Sequence, residues 1–184
     1  FSFAKVPYGT WIICEIESPK GYVLSEEEIA VTIGKVDEVV EIELVNYFIK
    51  GNIALTKVDE DYPDNKLSGA VFEVYSDTNG DGKLDKDDTL LGEMKELDGG
   101  VYQMSELRYG KYLVKESKAP TGFVLDEDVY AVSIEENGKT YTVENKAGVG
   151  FINAAQKGSL KIVKTSSDGK VEDFSFRVTA WPMT

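Results

Sequence analysis

The chain is predicted to be all-β, a β-sandwich written in tandem with one complete unit between two partial ones. Two observations carry that prediction. Short runs alternate apolar and polar residues at period two, bounded by Gly, Asn and Asp clusters, and no segment carries the longer period of a helix. The chain also repeats itself. YGTWIICEIESPKGYVL from Tyr8 returns as YGKYLVKESKAPTGFVL from Tyr109, with Tyr8, Glu15, Pro19 and Leu24 each reappearing 101 positions later. A second match, VNYFIKGNIALTK against INAAQKGSLKIVK, carries Asn46 to Asn153, Gly51 to Gly158 and Lys57 to Lys164 at a spacing of 107. The six-residue difference between the two spacings fits a length change in the hairpin between the blocks. A repeat of roughly 100 residues is too long for a solenoid unit and right for a tandem domain.

The elements of one unit follow in order from Gly51. NIALTKVD and AVFEVYS read as strands, then GVYQMSEL and KYLVKES on either side of RYG. VYAVSIE and TYTVE flank Glu136-Asn137-Gly138-Lys139, whose Asn-Gly pair predicts a hairpin turn. VGFINA closes the unit. The first and last strands are expected to be sheet edges. The expected boundaries are therefore 1–50 for the later strands of one unit, 51–155 for a complete unit, and 156–184 for the opening strands of a third.

Composition narrows the function classes. A net charge of −13 offers no basic stripe to displace counterions from nucleic acid, and it disfavours an anionic membrane surface. A hydrophobic content of 42% supports a real core, yet no apolar run is long enough to span a bilayer. The opening FSFAKVPYGT lacks the pattern of a signal peptide, so any export signal is expected outside this stretch. Histidine is absent, which removes the commonest general base. The single cysteine, Cys14, has no internal partner and no neighbouring base. Its parity is opposite to that of Glu15, so it is expected to face outward or toward a neighbouring element.

Alternation also assigns faces, because successive side chains of a strand point to opposite sides. Ile53, Leu55 and Lys57 share one face, as do Tyr112, Val114 and Glu116, and as do Phe151 and Asn153. The partial units repeat this with Trp11, Ile13 and Glu15, and with Leu160, Ile162 and Lys164. Polar or charged residues on a core face can be gatekeepers at a strand edge. Three of them recurring with the repeat point instead to one shared site, since a lone buried charge is costly.

With its opening LTKVD, its glutamate block YGKYLVKESKAPTGFVL and its closing FINA, the unit resembles a Cna B-type domain. That is the prealbumin-like, Ig-like β-sandwich of Gram-positive surface adhesins and sortase-assembled pilins. The resemblance covers 51–155 and both flanking pieces. It implies that an opening-strand lysine attacks a closing-strand asparagine to form an intramolecular isopeptide bond, assisted by a buried acid. On that basis Lys57 is the nucleophile, Asn153 the electrophile and Glu116 the proton shuttle. Glu15 and Asn46 take the acid and acceptor positions of the preceding unit, and Lys164 the nucleophile position of the following one. Elementary chemistry agrees with these roles. Burial favours the neutral forms of amine and carboxylic acid, and the protonated acid is expected to polarise the Asn153 carbonyl. Folding supplies the effective concentration that a slow amide exchange needs.

DTNGDGKLDKDD, from Asp77, has calcium-loop spacing. Asp77, Asn79 and Asp81 stand at positions 1, 3 and 5, Gly82 at 6, the Lys83 carbonyl at 7, Asp85 at 9 and Asp88 at 12. It resembles the loops of dockerins, and it joins two strands, so calcium is expected to stiffen a hairpin. These readings point to a structural repeat of an extracellular, cell-wall-attached or secreted protein, an adhesin stalk or pilin-like shaft whose partners are its neighbouring domains. The alternative is an adhesin module gripping a host protein or polysaccharide, for which Tyr62 or Trp181 are candidate contacts. No motif of a turnover enzyme is present.

Overall fold

A computed structural model describes residues 1–167, 169 and 175–179. Its secondary structure among those residues is β only. Two strands lie in the first unit, β1 (Gly9–Cys14) and β2 (Glu28–Ile33). The middle unit holds β3 (Lys50–Asp59), β4 (Val71–Ser76), β5 (Thr89–Glu93), β6 (Lys95–Glu96) and β7 (Val101–Arg108). It continues with β8 (Gly110–Lys118), β9 (Val129–Ile134), β10 (Thr140–Thr142) and β11 (Phe151–Asn153). The middle unit is a sandwich of two sheets. One runs β10-β3-β7-β6 with β11 also on β3, and the other runs β5-β4-β8-β9.

Side chains alternating along the strands fill the space between these sheets, Ile53, Leu55 and Val114 among them as the period-two pattern predicted. Ile53 and Leu55 from β3, Tyr102 from β7, Phe72 and Val74 from β4, and Val114 from β8 are all buried. Phe72 packs edge-on against both Tyr102 and Phe151, with ring centroids 5.1 and 4.9 Å apart. Such aromatic packing adds about 0.5–1.5 kcal/mol per pair beyond the area it buries. Phe151 thereby anchors the three-residue closing strand in the core.

Two expectations of topology are corrected. The strand β3 is not an edge. It pairs antiparallel with β7 on one side and parallel with β10 and β11 on the other. A charge on β3 therefore cannot be an edge gatekeeper. The Asn137-Gly138 turn does not join a paired hairpin either. β9 pairs with β8, whereas β10 pairs with β3, so the turn carries the chain from one sheet to the other. Asn137 Oδ1 accepts from the Lys50 amide at 3.0 Å, and the Gly138 amide donates to the Lys50 carbonyl at 2.7 Å. The turn is thus fastened to the start of β3.

The first unit exposes what the middle unit buries. Trp11 is 43% exposed although its parity matches that of core positions. In the middle unit β3 and β7 cover the equivalent face, and the first unit has only the β1–β2 pair. The two units meet where the Tyr109 amide donates to the carbonyl of Ile49, whose own amide donates to the Gly21 carbonyl within the first unit, both at 2.9 Å. Lys20 lies over the Tyr109 ring, and Arg108 over the Phe48 ring. Among the described residues of 156–184 no strand is formed. Trp181 lies outside the described residues.

Candidate functional site

Lys57, Glu116 and Asn153 come together in the core of the middle unit. Lys57 and Glu116 are fully buried, and Asn153 is 3% exposed. Each arrives by the alternation that placed it on the inner face. Lys57 follows Ile53 and Leu55 along β3, Glu116 follows Tyr112 and Val114 along β8, and Asn153 follows Phe151 along β11. The parallel pairing of β11 with β3 sets Phe151 beside Lys57. Gly150 makes that approach possible. Its φ is +134°, and a Cβ there would stand 2.9 Å from the Thr56 carbonyl oxygen.

The amine, acid and amide form one polar cluster in an apolar shell. Lys57 Nζ stands 3.7 Å from Glu116 Oε1 and donates to the Phe151 carbonyl at 3.0 Å. It also lies 4.9 Å from the centre of the Phe151 ring. Asn153 Nδ2 donates to Glu116 Oε2 at 3.0 Å, and the Asp126 amide donates to the same oxygen at 2.8 Å. Two buried oxygens, Glu116 Oε1 and Asn153 Oδ1, have no hydrogen-bond partner. Unsatisfied buried polar atoms are uncommon in folded proteins and call for an explanation. Here they are the carboxyl oxygen nearest the amine and the carbonyl oxygen of the amide. In the structure the Asn153 amide nitrogen, not its carbonyl oxygen, faces the Glu116 carboxyl.

Burial sets the protonation states. Desolvation draws the Lys57 pKa down to about 8, against the pull of the Glu116 and Asp126 charges. Desolvation also raises Glu116, opposed by its hydrogen bonds from the Asp126 amide and Asn153 and by the Lys57 charge. Each shift favours a neutral group, as transfer from water to an apolar interior requires. The pair can therefore exchange its shared proton between an ammonium–carboxylate form and an amine–carboxylic acid form.

The first unit carries the same acid and amide without an amine. Asn46 Nδ2 donates to Glu15 Oε2 at 2.6 Å, and the Ser25 amide donates to that oxygen at 2.8 Å. These contacts reproduce those of Asn153 and Asp126 with Glu116. Glu15 and Asn46 are only half-buried. Lys164 is exposed and lies outside any strand. Cys14 is exposed, as its parity predicted.

The acidic loop connects β4 to β5, which pair antiparallel, so it does close a hairpin. It also folds across the outer face of the second sheet. Lys111 Nζ donates to the Gly80 carbonyl at 2.8 Å, and a Cβ on Gly82 would meet the Ala131 side chain at 3.8 Å. Asp77 accepts from the Gly80 and Gly82 amides at 2.7 and 3.1 Å. Asp88 accepts from the Thr78 and Asp85 amides, which ties the two ends of the loop together. Asp81 accepts from the Lys83 amide, and the Asn79 side chain donates to Asp85. The carboxylates are thus engaged with the loop itself. Among the described residues no three acidic, histidine or cysteine side chains converge in a way that could hold a metal ion.

Three further residues of the cluster escaped the sequence reading: Asp126, Tyr130 and Asn145. Burial raises the Asp126 carboxyl, but hydrogen bonds from Asn145, the Asp128 amide and Tyr130 outweigh it and hold the pKa below the usual carboxylate range. No period-two signal marks Asp126 or Asn145, because both lie in loops.

This β-sandwich, with a buried amine, acid and amide where its first and last strands meet, is a prealbumin-like module. The family model described as SpaA, prealbumin-like fold domain, matches residues 1–47 and again 51–147, and the chain belongs to that family. Among solved structures the chain is similar to the Bacillus anthracis TIE protein, at 30% identity and a TM-score of 0.65. That match covers 82% of this chain and 26% of the other, so the chain spans about a quarter of that protein's length. It is also similar to BcpA, the major pilin subunit of Bacillus cereus, at 26% identity and a TM-score of 0.46, covering 73% of this chain and 35% of that one. GBS52, the minor pilin of the Gram-positive pathogen Streptococcus agalactiae, matches at 24% identity and a TM-score of 0.44, over 88% of this chain and 66% of that one. No curated protein matches the chain.

Proposed function

We propose that the chain is a load-bearing repeat of a Gram-positive cell-surface protein, an adhesin stalk or pilin-like shaft, whose middle unit welds itself with a Lys57–Asn153 isopeptide bond. The observation that carries this reading is the burial of Lys57 beside Glu116 and Asn153, with two oxygens left unpartnered. In the reaction the neutral Lys57 amine attacks Cγ of Asn153. The Cγ–Nδ2 bond breaks, and Glu116 passes the amine's proton to the departing nitrogen, which leaves as ammonia. Glu116 ends with the proton count it began with. The event occurs once per molecule, so it is maturation and not turnover. Tension entering β3 would then pass directly to β11 through a covalent link.

The reacting state holds one proton between Lys57 and Glu116. At low pH both groups are protonated and no nucleophile exists. Above about 8, where Lys57 releases its proton, the amine remains but the acid is gone. Ammonia release from freshly refolded chain is therefore expected to be level at neutral pH. Above about pH 8 it should fall roughly tenfold per pH unit. A rate that keeps climbing through pH 10 would assign the proton transfer to solvent instead of Glu116.

The β4–β5 loop is proposed to bind calcium through Asp77, Asn79, Asp81, the Lys83 carbonyl, Asp85 and Asp88. Its spacing and the glycine turns at Gly80 and Gly82 support this reading, with φ of +73° and +76°. Binding requires the side chains to turn from their backbone partners toward one centre. Calcium titration is expected to raise the melting temperature of wild type and not that of Asp77→Ala. An unchanged wild-type melting temperature would remove the site. For the first unit, Glu15 and Asn46 are proposed to receive a lysine from a strand equivalent to β3, and Lys164 to serve a following unit in the same way.

A further inference from the structure

The closing strand β11 is only three residues long, yet the reaction needs its register to be correct. A slip of one residue would turn Asn153 away from the core, because side chains alternate. Its hold on β3 is parallel and at a sheet edge. A second fastening comes from Asn145. Asn145 Oδ1 accepts from the Ile152 amide at 2.6 Å, and its Nδ2 donates to the Ile152 carbonyl at 2.9 Å. One side chain thus grips both polar groups of the residue immediately before Asn153. The same Nδ2 donates to Asp126 Oδ2 at 2.7 Å.

Asp126 is itself fixed. Tyr130 donates to its Oδ2 at 2.8 Å and the Asp128 amide to its Oδ1 at 2.9 Å, while the Tyr130 ring packs 5.1 Å from that of Phe151. The backbone amide of Asp126 is the donor to Glu116 Oε2. The acid and the strand carrying the electrophile are therefore tied to a single residue. The first unit has the amide contact, through Ser25, but not the carboxylate. At the spacing that aligns Asn46 with Asn153, Asn145 corresponds to Glu38, which instead accepts from the Gly34 and Lys35 amides of its own turn.

We propose that Asn145 and Asp126 form a positioning clip that holds the Asn153 carboxamide and the Glu116 carboxyl in reacting register. Neither side chain touches the Lys57 amine or the Asn153 carboxamide; Asn145 acts through the Ile152 backbone, and Asp126 through Asn145 and through its own backbone amide on Glu116. The clip rests on the reading that the bond forms. The test is the time course of ammonia loss, by intact mass, in full-length chain captured unreacted in denaturant and then refolded. Refolding is followed separately by near-ultraviolet circular dichroism.

Asn145→Ala is expected to refold and then lose ammonia roughly tenfold or more slowly than wild type. The pH above which its rate falls should be unchanged, since Lys57, Glu116 and Asp126 remain. Asp126→Ala is expected to slow the reaction too, and to move that fall to lower pH by removing a negative charge near Lys57. Ile134→Val, a core deletion beside Gly51, should react at the wild-type rate. Should Asn145→Ala not fold, Asn145→Asp keeps the acceptor for the Ile152 amide, loses both donated bonds, and is expected to be slow. A wild-type rate in either Asn145 variant overturns the clip, as does an equal slowing in Ile134→Val. Absence of ammonia loss from wild type overturns the isopeptide reading, and the clip with it.

Discussion

Replacing Lys57 with alanine is expected to lower the melting temperature of the middle unit by roughly 20–35 °C, measured by calorimetry on wild type and variant. The size follows from the loop that the proposed bond would close, about 97 residues from Lys57 to Asn153. Treated like a disulfide, a closure of that length constrains the unfolded chain by roughly 4–5 kcal/mol. For a unit of about 100 residues each kcal/mol corresponds to about 4–8 °C. The variant leaves Glu116 buried without Lys57 beside it, and Glu116 can stay neutral there because burial already raises its pKa. Asn153→Ala should produce a drop of similar size, and the double variant hardly more. Two single losses that report the same bond do not add. A drop of only a few degrees in Lys57→Ala, or additive losses in the double variant, would mean that these residues are packed but not joined.

Glu116→Gln separates the chemistry from the fold. Glutamine matches the shape of glutamate and can still accept from the Asp126 amide, which holds Glu116 Oε2 at 2.8 Å. It cannot take a proton from Lys57 or return one to the leaving nitrogen. General acid–base assistance contributes roughly 10²–10⁴-fold, so ammonia loss is expected to slow by about that factor while the unit remains folded. The result is read by following intact mass over days alongside circular dichroism. A Glu116→Gln chain that matures as fast as wild type would remove the acid from the reaction and leave it a packing residue.

Much of the site was legible because it obeys the simplest rule of a strand. Lys57 continues the face of Ile53 and Leu55, Glu116 that of Tyr112 and Val114, and Asn153 that of Phe151; the structure buries all of them. The repeat added weight by placing Glu15 and Asn46 in the same relation, and the structure sets those two 2.6 Å apart. What alternation does not encode is which strand lies beside which. Asn137-Gly138 specifies a tight turn, but the partners of β9 and β10 are chosen by the whole sandwich, and the turn became a crossing between sheets. For the same reason β3, first in its unit, lies in the interior of its sheet.

Asp126 and Asn145 were hidden for a different reason. They sit in loops, where no periodicity applies, and their arrangement is not copied in the first unit. Their partners, the Ile152 backbone and Glu116, are close only once the sandwich is closed. The β4–β5 loop shows the opposite case. Its residue spacing was plain, while the directions of its carboxylates depend on contacts with its own amides and with Lys111. Spacing fixed the order of possible ligands but not their convergence.

The most direct test is the mass of the intact, folded chain, followed by fragmentation of its protease digest. The welded chain is lighter than its sequence by one ammonia, and the digest contains a branched peptide joining the Lys57 and Asn153 segments. A chain of full sequence mass, with those segments recovered as separate linear peptides, would contradict the account.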